Sequence, residues 1–79
     1  MKTGNVIGTV RAARRAACLE GQTFLLVRAG NEELVAADRV GAAIGDSVIL
    51  ATGSTAARYC MDAPVDAAVV AVVEEQNLE

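Results

Sequence analysis

Four aspartates, Asp38, Asp46, Asp62 and Asp66, each stand beside a turn or a strand end of this 79-residue chain. Paired carboxylates can act as general acid and base, or gather a divalent cation. Nothing in the sequence completes either chemistry. There is no histidine, and no serine or cysteine sits with a visible base partner. The acidic spacing is not that of a calcium loop. Ser54 follows Gly53 outside any Gly-x-Ser-x-Gly elbow. Gly41-x-x-x-Gly45 is neither a Walker loop nor a dinucleotide fingerprint. Aspartates favour such positions because they cap and turn the backbone, so these four read as loop-capping groups. The chain is expected not to be an enzyme and to need no cofactor or metal.

The two cysteines, Cys18 and Cys60, are far apart in sequence and form no Cys-x-x-Cys pair. A bridge between them is arithmetically possible. Without a secretion signal, two reduced thiols in a cytosol are expected, with Cys60, beside Met61, a packed thiol rather than a reactive one. Arg11, Arg14 and Arg15 make the only basic cluster. They could touch nucleic acid, but the chain has a net charge of −3 and a pI near 4.8, which opposes phosphate backbones and anionic lipid alike. Sequence-tolerant strand binding also needs stacking rings. Only Phe24 and Tyr59 are available, and Phe24 lies in an apolar strand. The arginines are therefore expected at a solvated strand end or in an inter-subunit ion pair with Glu74-Glu75. The longest apolar stretch, Ala67 to Val73, is far below the roughly 20 residues that span a bilayer.

Such side chains need a scaffold, and the composition constrains it. One domain of this size buries only about 60–65% of its unfolded surface and is marginal alone; disulfides, metals or oligomerisation are the usual remedies. Hydrophobic residues are 53% of the chain, yet aromatics are 3% and sixteen residues are alanine. The core must come from β-branched and leucine packing, with alanine where backbones approach. Elimination of disulfide and metal leaves self-association as the favoured remedy.

Strand signals dominate the order of elements. Asn5 to Ala12 alternates with period two, and Gly8 predicts a bend or a close backbone approach. Arg14 to Gln22 reads as a connection. Strands follow over Thr23 to Arg28 and Leu34 to Asp38, joined by a hairpin at Gly30-Asn31. Arg39 to Asp46 is a loop, and Ser47 to Ala51 a fourth strand. A helix of one to two turns follows, with Ser54 as its N-cap and Arg58 at its dipole-favoured end. Val65 to Val73 is a fifth strand, apolar enough to be covered on both faces, for which a neighbouring subunit is the expected cover. Five strands with a helix between the fourth and fifth predict an all-β fold, a small OB-like barrel. The domain is expected over 1–77, with Leu78-Glu79 a possible cloning scar.

Several ordered pieces resemble the CcmL/EutN family of bacterial microcompartment vertex proteins over nearly the whole chain. They are Val6-Ile7-Gly8-Thr9-Val10, Cys18-Leu19-Glu20-Gly21, the run from Val35 through Asp38 to Asp46, Gly53-Ser54-Thr55-Ala56-Ala57-Arg58, and Pro64-Val65-Asp66-Ala67. The resemblance implies a barrel protomer assembling as a pentamer, a structural part that closes a cytoplasmic shell at its five-fold vertices beside hexameric shell proteins. It also implies subunit contacts or pore lining at Gly41, Ala42, Ala43 and Gly45, and at Gly53, Ser54, Thr55 and Arg58. The chain departs from the family pattern where Ala43 replaces a glycine and where Ala57 displaces the arginine by one place, about 100° around a helix. The readings from other classes are an OB-type nucleic-acid module and a small cation-dependent enzyme.

Overall fold

β-Branched and leucine residues at alternate positions make the chain extended, and the computed structural model describes residues 1–74. Strands β1 (Lys2–Val10), β2 (Phe24–Ala29), β3 (Glu32–Asp38), β4 (Ser47–Thr52) and β5 (Ala67–Val72) close into a barrel in the order β1-β2-β3-β5-β4. A single α-helix, α1 (Ser54–Arg58), lies between β4 and β5, as the sequence predicts. A 3₁₀ turn at Ala17–Leu19 sits in the β1–β2 connection, unforeseen from sequence. The Gly30-Asn31 hairpin is present, with Gly30 at φ +61°. The expectations for Glu75 and for Leu78-Glu79 fall outside the described residues.

β1 begins earlier than its residue pattern predicts, because Lys2 to Asn5 pair with Leu50 to Ser47 of β4. From Asn5 onward the same strand pairs with β2, and a bulge between Val6 and Gly8 redirects it. The bend read from Gly8 is therefore real, but the close approach lies elsewhere. A Cβ on Gly4 would stand 2.7 Å from Val27 Cγ1 and 2.8 Å from the Arg28 carbonyl oxygen, whereas one on Gly8 would meet only Leu26 Cβ at 3.8 Å.

Alternation along the strands sorts side chains to two faces. Inside the barrel, Val6, Leu25, Val27, Ala36, Val48, Leu50, Ala67 and Val69 form the main core. At about 1.5–3 kcal/mol for each large aliphatic side chain buried, this is the chief stabilising term. Outside the wall, Ala37, Ala51 and Ala68 meet Ala56, Cys60 and Ala63 from α1 and the segment after it. Methyl-sized residues on both sides let the helix lie close against the strands. This second layer changes one expectation. The start of β5 is covered on both faces within the protomer, Ala67 and Val69 by the barrel core and Ala68 by the α1 layer. No neighbouring subunit is required there; along the second half of β5, Val70 and Ala71 are half-buried and Val72 is exposed.

The helix start also differs from expectation. Ser54 is the first helical residue, and the N-cap is Gly53 with φ 70° and ψ −155° and no side-chain cap bond. That conformation is essentially glycine-only, and the chain needs it to turn directly off β4 while the Gly53 N–H donates to the Asp66 carbonyl at 2.8 Å. Gly4→Ala should cost about 1–3 kcal/mol through overpacking against a backbone oxygen, while Gly8→Ala should be tolerated. Urea unfolding of the two variants measures the difference; equal midpoints would contradict the assignment.

Candidate subunit-contact site

The loop after β3 is held by its own carboxylates. Asp38 Oδ1 accepts from the backbone N–H groups of Val40, Gly41 and Ala42 at 3.1, 3.0 and 3.3 Å. Asp46 Oδ2 accepts from the Ala43 N–H at 2.8 Å. Gly45 N–H donates to the Val6 carbonyl, and Val6 N–H to the Asp46 carbonyl, each at 2.9 Å. Gly41 and Gly45 take φ of +74° and +97°, left-handed values that side chains resist. Ala43 is not among the residues with positive φ, so its departure from the family glycine strains nothing. The result is a stiff loop that tucks Ala42 against the main core and leaves Ile44 64% exposed at its tip. Asp38 and Asp46 are thus anchors of backbone geometry, as their turn positions predict.

The second predicted patch is α1. Ala56 is buried, whereas Gly53, Ser54, Thr55 and Arg58 are exposed, with Arg58 in the last helical turn. The two patches directly precede and directly follow β4, and so stand at opposite ends of that strand. Six residues at about 3.3 Å per residue separate them by roughly 20 Å. The fold keeps Gly41, Ala42, Ala43 and Gly45 together, and Gly53, Ser54, Thr55 and Arg58 together, but does not merge the groups.

Beside α1, the β1–β2 connection is pinned by polar contacts absent from the sequence reading. Arg15 Nη1 donates to the Gln22 carbonyl at 2.9 Å, and Gln22 Nε2 to the Cys60 carbonyl at 3.4 Å. Gln22 is buried, and its Oε1 has no partner among the described residues. A lone glutamine between Gly21 and Thr23 gives no sequence signal of such a role. Cys60 is fully buried and Cys18 exposed, both as free thiols. Burial pushes the Cys60 pKa up, with Arg39 pulling weakly the other way. Phe24 packs against the α1 layer, so it is not a free stacking platform. A shallow cleft of about 180 Å³ lies among Thr3, Asn5, Arg28, Ser47 and Val73. Its polar groups are already engaged, Asn5 Nδ2 with Ser47 Oγ at 3.1 Å and Arg28 with Glu33 at 2.7 Å.

Carboxylates that brace loops and stiff exposed tips around a closed barrel are the features of a structural module. The family model described as ethanolamine utilisation protein EutN/carboxysome matches residues 1–74. The carboxysome shell vertex protein CcmL of Synechococcus elongatus is 39% identical, the match covering all of this chain and 89% of that protein. Among solved structures, the pentameric microcompartment shell protein GrpN of Rhodospirillum rubrum superposes with a TM-score of 0.90 at 33% identity, covering 99% of this chain and all of that one. CcmL of Gloeobacter violaceus gives a TM-score of 0.90 at 30% identity, over 100% and 91% of the two chains. The chain belongs to the EutN/CcmL family of microcompartment shell vertex proteins, structural shell components rather than enzymes.

Asp38→Ala removes the acceptor of three amides and should destabilise by about 1–2 kcal/mol, in the manner of a lost helix cap. Faster hydrogen exchange confined to Val40, Gly41 and Ala42 would show the loop loosening; unchanged protection would contradict the bracing role. Thiol labelling should modify Cys18 rapidly and Cys60 only on unfolding. Because the folded state raises the Cys60 pKa, its contribution is complete below the thiol's ordinary value and is lost as pH rises through the folded value. Stability should therefore fall on the alkaline side in wild type, and less so in Cys60→Ala.

Proposed function

We propose that the protein caps the five-fold vertices of a bacterial microcompartment shell in the cytoplasm, as a ring of five copies seated among hexameric shell proteins. The observation that carries this reading is full-length agreement with solved shell proteins, one of them pentameric by description and closely superposable. Physical argument supports it. A head-to-tail contact repeated about a closed rotation forms a ring, and a chain of 79 residues with a modest core gains stability by covering further apolar surface. Val35 and Ile44, both large and exposed, are available for such cover.

Within the ring, the stiff loop bearing Gly41, Ala42, Ala43 and Gly45, and the segment bearing Gly53, Ser54, Thr55 and Arg58, are the proposed subunit-contact or pore-lining residues. Small residues admit a neighbouring backbone, and the Arg58 guanidinium offers several donors in a fixed fork. A flat sheet of hexamers cannot close without five-fold points, so the role is geometric. No observation favours the nucleic-acid reading: Phe24 is packed away and the net charge is −3.

Co-expression with hexameric shell proteins, imaged by electron microscopy, tests the role. Closed polyhedral shells should form only when this chain is present; open sheets or tubes in its presence would refute vertex capping. At the residue level, Arg58→Ala should weaken the ring about tenfold or more while leaving the circular dichroism spectrum of the protomer unchanged. Ring stability equal to wild type would remove Arg58 from the interface.

A further inference from the structure

The barrel is closed over only part of its height. β3 pairs with β2 from Glu32, opposite Ala29, to Ala37, opposite Phe24, yet it meets β5 only at Ala37 and Asp38. Backbone groups along a strand point alternately to the neighbours on its two sides. The Asp38 N–H donates to the Thr23 carbonyl on the β2 side, and the Arg39 N–H to the Val69 carbonyl on the β5 side. By that alternation Glu33 and Val35 turn their N–H and C=O groups away from β2, to a side where no strand among the described residues meets them. Both residues are exposed.

The same sheet is open on its other flank. β1 pairs with β4 only from Lys2 to Asn5. The loop after β3 extends that side as far as Val6, whose N–H and C=O bond to Asp46 and Gly45. Phe24 and Leu26 face β1, so their partners Val10 and Gly8 face β2 and Thr9 between them faces outward. Thr9 is exposed, and its outward backbone groups have no partner among the described residues. β1, β2 and β3 thus form a meander with an unpaired edge on each flank. Between the edges runs an apolar row on the outer face, Gly8, Leu26 and Val35 in register, with Val35 51% exposed. An unpaired edge is a template for another strand. Two dissimilar edges on opposite flanks match head to tail, the contact that a closed ring requires.

We infer that the open β3 edge at Glu33 and Val35 pairs with the open β1 edge at Thr9 of the next copy of this chain, so that backbone hydrogen bonds run from subunit to subunit. This rests on the proposed ring and specifies what joins its members. The contact is strand addition, in which main-chain bonds supply affinity and the apolar row, continued across the junction, supplies cover. The loop proposed for subunit contact bonds β1 at Val6, three residues before Thr9, so the two contacts are continuous.

Hydrogen exchange of the full chain, read residue by residue at high and low protein concentration, tests the contact. In the ring the Thr9, Glu33 and Val35 amides should exchange about tenfold or more slowly than in the diluted protomer. Proline supplies a second arm, because it removes an N–H and is tolerated on a strand where that N–H is unpaired. V35P should keep the wild-type circular dichroism spectrum and raise the ring dissociation constant about tenfold or more. A36P removes an N–H directed at β2, where Ala36 pairs with Leu25, and should unfold the protomer. Rapid exchange at Val35 in a ring that native mass spectrometry shows intact would overturn this inference and leave the ring standing. So would a V35P ring as tight as wild type. Protection of Val35 that survives dilution to monomer, or a V35P chain that does not fold, would show the edge already engaged within the protomer and would overturn it as well. A wild-type chain that never assembles would overturn both readings.

Discussion

Closure of the barrel depends on a very short clasp between β3 and β5. The two strands run parallel and pair only at Ala37 with Ala68 and Asp38 with Val69, extended by the Arg39 N–H donating to the Val69 carbonyl at 3.1 Å. The α1 layer and the loop after β3 are arranged around those few residues. Ala37 and Ala68 present single methyls on the outer face, which lets the α1 layer press directly over the clasp. Asp38, at its end, turns its side chain to the next three amides and launches the stiff loop. One short junction thus fixes both segments proposed for subunit contact.

The same economy explains why the protomer is suited to assembly. Its second layer is built mostly of alanine, which buries little apolar area per residue. Large apolar side chains remain outside, among them Val35, Ile44 and Met61. Met61 and Asp62 also sit at positive φ, 54° and 57°, a costly conformation for non-glycine residues. The Asp62 N–H donating back to the Ala57 carbonyl at 2.8 Å helps to hold that turn. A fold that keeps strain and apolar surface at its edges has little margin alone, and the proposed ring would supply cover for that surface.

Period-two patterning made β2, β3 and β4 legible to within a few residues, and Gly30-Asn31 marked their hairpin. The helix between β4 and β5 was legible too, though its cap was not. Ser54 is the better capping type, but the sharp exit from β4 demanded the backbone freedom of Gly53. The tight approach was misplaced to Gly8 because a glycine's need depends on what lies opposite. Only the register brings Val27 and Arg28 against Gly4. The apolar run of β5 was read as doubly covered throughout, but only Ala67 to Val69 are, and their cover comes from within, since alanine content does not say which alanines meet. Gln22 left no trace in the sequence at all. The ordered motifs located both candidate contact segments, but not their separation by the length of β4.

Stiff loops, exposed apolar side chains and a closed, marginal barrel converge on one physical claim, that the functional unit is a ring rather than the single chain. Native mass spectrometry of the intact protein in volatile buffer of low ionic strength tests that claim most directly. The account predicts a dominant species of five copies of the 8.1 kDa chain, persisting on dilution into the micromolar range. A monomer at every concentration would contradict it.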